Sequence, residues 1–278
     1  MSDINYPTIG FIGAGNMAAA IIGGLLAEGY PAKHIWATDP SAERLQQLEA
    51  DWGINTCVDN QQAAAKVEVL VLAVKPQVLS SVAEGLKETV AKSKPLIISI
   101  AAGILCSSME SWLGQGAAIV RCMPNTPALV QTGASGLYAN AAVSQQQKAQ
   151  AEKILQAVGI ALWVDREELL DAVTAVSGSG PAYYFLMMEA MIAAGQSLGL
   201  DLQTSTQLTL QTALGAAKMA QASDVEVAEL RRRVTSPKGT TEKAIESFEQ
   251  GDFRGLVDNA LSACAERSKS LAKELGEG

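Results

Sequence analysis

Ile9-Gly10-Phe11-Ile12-Gly13-Ala14-Gly15-Asn16-Met17-Ala18 carries an apolar, β-favouring run straight into Gly-x-Gly-x-x-Ala and then into an alanine-rich helical pattern. Strand, glycine turn and helix in that order form a dinucleotide-binding turn. Gly13 lets the chain leave the strand tightly, Gly15 removes the side chain that would keep a pyrophosphate off the backbone, and the small Ala18 lets helix and strand pack closely. The anion would rest on the free N–H groups and positive dipole end of the helix.

Working outward, Thr8–Ile12, Ile35–Thr38, Val67–Val74, Leu96–Ile100, Ala117–Cys122 and Ile160–Val164 read as strands. Asn16–Glu28, Ala42–Asp51, Pro76–Val90 and Ser144–Val158 read as the helices between them. Val67–Val74 is almost continuously apolar, as a strand covered on both faces of a parallel sheet must be. The expected fold is α/β: a doubly wound, mostly parallel sheet over residues 1–164, followed by an all-α domain over 165–278. Strand signals stop after Val164, and Glu167–Val176, Pro181–Leu198, Leu202–Met219, Val225–Val234, Thr241–Gln250 and Phe253–Leu275 read as helices. The helix after Pro181 carries Phe185, Met188, Met191 and Ile192 with few charges, so it is apolar around most of its girth. That points to a subunit interface ahead of a monomeric core.

With 278 residues, two domains are the natural expectation. A net charge of −8 argues against a nucleic-acid surface, and Arg231-Arg232-Arg233 reads as a solvated or substrate-facing patch. No apolar run reaches the roughly 20 residues of a membrane span, and Met1-Ser2-Asp3-Ile4-Asn5 lacks the layout of a signal peptide, so a cytoplasmic protein is expected. Cys57, Cys106, Cys122 and Cys264 are scattered without a Cys-x-x-Cys pair, which speaks for reduced thiols and no metal site. His34, the single histidine, precedes Ile35–Thr38 and reads as a surface residue at a strand entry.

Ligands of an open α/β sheet gather beyond the carboxyl ends of its strands. Asp39, 26 residues past Gly13, ends one strand; it suits the adenosine ribose hydroxyls and equally suits a cap for the helix from Ala42. Ser41 and Arg44 stand close enough in sequence to receive a 2′-phosphate, which leaves NADPH and NADH both open. Ala73-Val74-Lys75-Pro76 should cross the cofactor, with Lys75 either a base or a surface lysine. Ala101-Ala102-Gly103 leaves room for a flat ring, and Pro124 and Pro127 around Asn125 would give it a rigid floor.

Taken together, Gly10–Met17, Ala73–Pro76, Arg121–Pro127, Ser177-Gly178-Ser179-Gly180-Pro181-Ala182-Tyr183 and Thr235-Ser236-Pro237-Lys238-Gly239-Thr240-Thr241 resemble the pyrroline-5-carboxylate reductases, in order and over nearly the whole chain. The resemblance implies an N-terminal Rossmann domain, a C-terminal helical domain that interlocks two chains as a homodimer, and dimers gathered into a larger ring. It implies hydride transfer from NADPH or NADH to pyrroline-5-carboxylate, giving proline. Cofactor contacts carried over are Ile12, Gly13, Ala14, Gly15, Asn16, Met17, the Asp39 region, Asn60, Ala73 to Pro76 and Ala101 to Gly103. Substrate contacts are Ser236, Gly239, Thr240, Thr241 and Glu167, with the substrate loop able to come from the opposite subunit. Lys238 departs from the family, standing where the first of two glycines is usual, and Arg233 occupies an ordinarily uncharged position.

The chemistry stands beside that resemblance. A protonated cyclic imine is already electrophilic, so its reduction is a problem of positioning more than of acid strength. The substrate carboxylate needs an anion site, which Gly239-Thr240-Thr241 at a helix start offers. Thr241 is the candidate catalytic residue, its hydroxyl holding the ring nitrogen; the alternative is a plain helix cap. The rival readings are a β-hydroxyacid dehydrogenase-like reductase, a general imine reductase and a non-catalytic NAD(P)H sensor. The first uses a lysine in the long helix, and Pro181–Leu198 has none.

Overall fold

The structure, a computed structural model, describes residues 6–276. The signal-peptide reading of Met1–Asn5 therefore lies outside the described residues. Eight strands form one sheet: β1 Ile9–Ile12, β2 Ile35–Thr38, β3 Asn55–Cys57, β4 Val69–Leu72, β5 Leu96–Ser99, β6 Ile119–Met123, β7 Gly133–Ala139 and β8 Gly159–Trp163. Their order is β3-β2-β1-β4-β5-β6-β7-β8, parallel throughout except where β7 meets β6 in the opposite sense. Every residue of β1, β4 and β5 is buried, because helices cover both faces of the sheet. The helices of this part are α1 Asn16–Ala27, α2 Ala42–Trp52, α3 Asn60–Ala64, α4 Pro76–Ser93, α5 Cys106–Leu113, α6 Gln145–Gln156 and α7 Leu169–Val173.

Strand order reverses between β1 and β4, and that switch point is where a doubly wound sheet opens a ligand crevice. One core lies on each face. Phe11, Ile21, Leu25 and Leu155 pack on one side; Leu70, Leu79, Leu86, Met109 and Trp112 pack on the other.

Four elements escaped the sequence reading. Asn55-Thr56-Cys57 is short and polar, and Gly133-Ala134-Ser135-Gly136-Leu137-Tyr138-Ala139 reads as a loop because its residues are small. The small size has a packing cause: a Cβ on Gly136 would fall 2.5 Å from Val173 Cγ1 in α7. Helices α3 and α5 were also unforeseen. Glu167–Val176, expected as one helix, is instead a turn at Glu167, then α7, then a wider π-type turn over Thr174–Gly178 closed by the Ser179 N–H on the Thr174 carbonyl. His34 is half-buried, its Nδ1 2.8 Å from the Tyr6 carbonyl oxygen.

The chain divides into two compact units. One runs up to Ser179 and takes back the chain from Cys264 onward; the other is Gly180–Ala263. The boundary drawn at 164/165 from the sequence thus differs from the compact division, since α7 and the π-type turn pack on β7. The last residues return to the first unit, where Ser268 donates to Asp171 Oδ1 at 2.6 Å.

The second unit contains α8 Gly180–Ser197, α9 Leu202–Gln221, α10 Val227–Arg233, α11 Thr240–Gln250 and the first turns of α12 Phe253–Gly276. Asp201 caps α9 by accepting the Thr204 N–H at 2.9 Å. Helices α8 and α9 lie together, with Ser205 Oγ donating to the Ile192 carbonyl at 2.9 Å. Within this unit only Gly180, Ser205 and Thr209 are buried, while Tyr184, Phe185 and Leu186 are each more than 60% exposed. A helix apolar around its girth is therefore left uncovered by its own chain.

Candidate active site

The glycine turn is built as its sequence demands. Gly13 has φ +96°, and a Cβ there would lie 2.8 Å from the Ala73 carbonyl oxygen, so only glycine fits between β1 and the end of β4. Gly15 and Asn16 are exposed, and a Cβ on Gly15 would meet nothing within 4 Å. No side chain caps α1, which leaves its first N–H groups facing that open ledge. This bare, exposed helix start suits a diphosphate, with Ile12, Ala14 and Met17 as its buried and half-buried walls.

Asp39 sits at the end of β2 with its carboxylate engaged by backbone. Oδ2 accepts the Ala14 N–H at 3.0 Å and Oδ1 accepts the Ser41 N–H at 2.9 Å. Asp39 thus braces the turn and the approach to α2, but the cap of that helix expected of it falls to Ser41, whose side chain accepts the Arg44 N–H. Arg44 reaches the same turn: its Nε donates to the Ala14 carbonyl at 3.0 Å and its Nη1 to Gln47 at 3.1 Å. Asn60, at the start of α3, accepts the hydroxyl of buried Thr38 at 2.6 Å. Asp39 and Arg44 therefore contact the glycine turn itself, while Asn60 holds Thr38 at the end of β2.

Ala73 and Val74 are half-buried at the end of β4, Lys75 is exposed, and Pro76 opens α4. Lys75 is thus a surface lysine at a strand exit. Ala101, Ala102 and Gly103 follow β5; the Gly103 position faces α12, where a Cβ would come 3.5 Å from Leu275. Asn125 lies in the turn after β6. It is buried, its Nδ2 donates to the Ser177 carbonyl at 3.0 Å and its Oδ1 accepts the Ala134 N–H at 2.9 Å, so the amide ties the turn after β6 to β7.

Glu167 also has a scaffold role. Its Oε1 accepts from Arg121 Nη1 and from the Cys106 N–H, both at 2.7 Å, joining β6 to the start of α5 in a mostly buried ion pair. Arg121 was not singled out from the sequence. The signal was present as an arginine inside the apolar strand Ile119-Val120-Arg121-Cys122-Met123, since a strand charge of that kind needs a partner. Burial, with Glu167 beside it, holds the Cys106 thiol above its ordinary range, and burial pushes Cys122 up to about 12.

In the second unit the Ser236–Thr241 loop leads into α11. Gly239 is the N-cap, with its N–H on the Ser236 carbonyl at 3.0 Å, and no side chain caps the helix. Ser236 and Thr240 are exposed and Thr241 half-buried. The helix begins at Thr240, one residue earlier than expected. Lys238 adopts φ +61°, the left-handed conformation that a glycine takes without cost. Arg232 and Arg233 share Glu229, and Arg231 pairs with Glu249, which also takes Arg254, so the basic run is only partly compensated within its own unit. Among the described residues no group of three or more His, Cys, Asp or Glu could hold a metal, and no helix is long and apolar enough to cross a membrane.

Known proteins share this layout. A family profile described as pyrroline-5-carboxylate reductase dimerisation matches residues 167–271, and one described as NADP oxidoreductase coenzyme F420-dependent matches 8–103. The pyrroline-5-carboxylate reductase of Pseudomonas aeruginosa is 58% identical over 99% of this chain and 100% of its own. A pyrroline-5-carboxylate reductase structure from Coxiella burnetii superposes with TM-score 0.93 at 46% identity, over 96% of this chain and 99% of that one. The Plasmodium falciparum pyrroline carboxylate reductase, solved with NADP bound, gives 0.84 at 32% identity, over 96% and 98%. With relatives this similar end to end, and with the glycine turn and the Ser236–Thr241 loop both in place, the chain belongs to the pyrroline-5-carboxylate reductase family.

Proposed function

We propose that this chain reduces 1-pyrroline-5-carboxylate to proline with NADPH, acting as a homodimer. The observation that carries the reading is the pairing, in one chain, of two uncapped helix starts: α1 behind the glycine turn and α11 behind Gly239. The first suits a diphosphate and the second a single carboxylate. Family membership supplies the substrate.

The dinucleotide would be held by the Gly13–Met17 turn, Asp39, Arg44, Asn60 and the strand ends Ala73–Pro76 and Ala101–Gly103. When bound, NADPH supplies the hydride for the imine carbon. Ser236 and the N–H groups of Thr240 and Thr241 hold the substrate carboxylate, and the Thr241 hydroxyl fixes the ring nitrogen in line with the hydride path. Because the protonated imine accepts hydride readily, alignment by these groups is the main contribution asked of the protein. For Glu167 the Arg121 pair supports a scaffold role in place of substrate contact. The uncovered apolar face of α8 supports self-association as a dimer; assembly of dimers into a ring rests on the resemblance alone.

The test is steady-state kinetics on Thr241→Ala. We expect kcat/KM for the imine to fall at least about tenfold, roughly 1.4 kcal/mol, with NADPH binding unchanged. Wild-type kcat/KM in that variant overturns the role of Thr241. NADPH binding with no turnover of the imine in the wild-type protein would favour the sensor reading instead.

A further inference from the structure

We infer that Glu242 is a positioning residue for the substrate loop, holding Lys238 in its left-handed conformation so that the start of α11 keeps the shape that receives a carboxylate. This rests on the function proposed above. Glu242 lies in the first turn of α11, three residues beyond the N-cap Gly239. A glutamate at that position usually reaches back to the N-cap N–H. Here the Gly239 N–H is already on the Ser236 carbonyl, and Glu242 Oε2 instead accepts the Lys238 N–H at 2.7 Å.

The bond falls on the one residue of the loop that needs holding. Lys238 has φ +61°, in a region that a side chain with a Cβ avoids. A charge-assisted bond to its N–H opposes relaxation to the ordinary right-handed region. The same bond keeps a negative carboxylate on the loop side of the helix start. Released, that carboxylate could swing onto the free N–H groups of Thr240 and Thr241, where it would compete with a bound anion. Lys238 and Glu242 thus act as a pair, the glutamate compensating for a lysine where glycine would need no clamp.

The experiment is a mutant cycle read by kinetics with pyrroline-5-carboxylate, on the full-length protein, with NADPH affinity and melting temperature as folding controls. Glu242→Ala should raise KM for the imine at least about fivefold with the NADPH dissociation constant unchanged. Glu242→Gln, whose amide oxygen still accepts the Lys238 N–H, should restore KM to within about twofold of wild type, and adding Lys238→Gly to Glu242→Ala should do the same, because glycine adopts the left-handed region unaided. A wild-type KM for Glu242→Ala, or a double variant no better than Glu242→Ala, overturns the inference. Thr241→Ala run alongside separates the two levels. If it keeps full kcat/KM, the substrate-loop reading itself fails; if it loses activity while Glu242→Ala does not, only the clamp fails.

Discussion

Asp39 and Arg44 meet the glycine turn at a single residue, one holding the Ala14 N–H and the other its carbonyl. An aspartate at the end of β2 reads in isolation as a ribose ligand that selects NADH. In the structure each of its oxygens already takes a backbone N–H, and a guanidinium lies against the same turn. Among the described residues Arg44 has no ion pair, and its Nη2 makes no hydrogen bond, so its charge is available to a 2′-phosphate. Arg44→Ala should therefore weaken NADPH about tenfold, near 1.4 kcal/mol, and change NADH far less. Nicotinamide fluorescence titrations of both cofactors measure this, and equal losses for the two would remove Arg44 from phosphate recognition. The sequence placed Ser41 and Arg44 near the site; it could not show how the neighbouring carboxylate is occupied.

At the scale of elements, β6, α5 and the turn before α7 are joined by the Arg121–Glu167 pair. Removing one partner of such a buried pair leaves an uncompensated charge, so Glu167→Ala should destabilise the protein by about 3–5 kcal/mol in urea unfolding. Near-native stability together with a raised imine KM would return Glu167 to the substrate role that the resemblance implied. The buried thiols flank the same elements, Cys122 in β6 and Cys106 at the start of α5. Their folded values lie above the ordinary 9.0, so the neutral thiol is favoured in the native state. That contribution is complete below the unfolded value and is lost as pH rises from about 9 toward 12. Thermal scans should show the melting temperature falling across this window, less steeply in Cys122→Ala. A pH-independent melting temperature from 9 to 11 would contradict the burial of these groups. Glu167 itself was legible as a site candidate, but its partner is 46 residues away, a separation that no local pattern encodes.

For the whole molecule, two units meet opposite demands. The sheet unit buries both faces of its central strands, while the Gly180–Ala263 unit leaves Tyr184, Phe185 and Leu186 uncovered. A second copy of the chain is the occupant that the family's dimerisation region calls for. Phe185→Asp should shift the mass measured by light scattering from dimer to monomer at micromolar concentration and abolish turnover. An unchanged dimer would mean that this face is not the interface. The amino-acid sequence alone determined the glycine turn, the parallel half of the sheet and the helical second half. Those depend on local periodicity, on glycines required by a tight turn and on apolar runs buried on both faces. Only the tertiary structure decided the reversed direction of β7, the Arg121–Glu167 pair, the occupied carboxylate of Asp39 and the left-handed Lys238. The first three are set by partners far away in the chain, so that packing makes a small-residue run a strand and a lone arginine an ion pair, whereas Lys238 is held by Glu242 four residues on, a contact that depends on the geometry of the helix start and that no periodicity encodes.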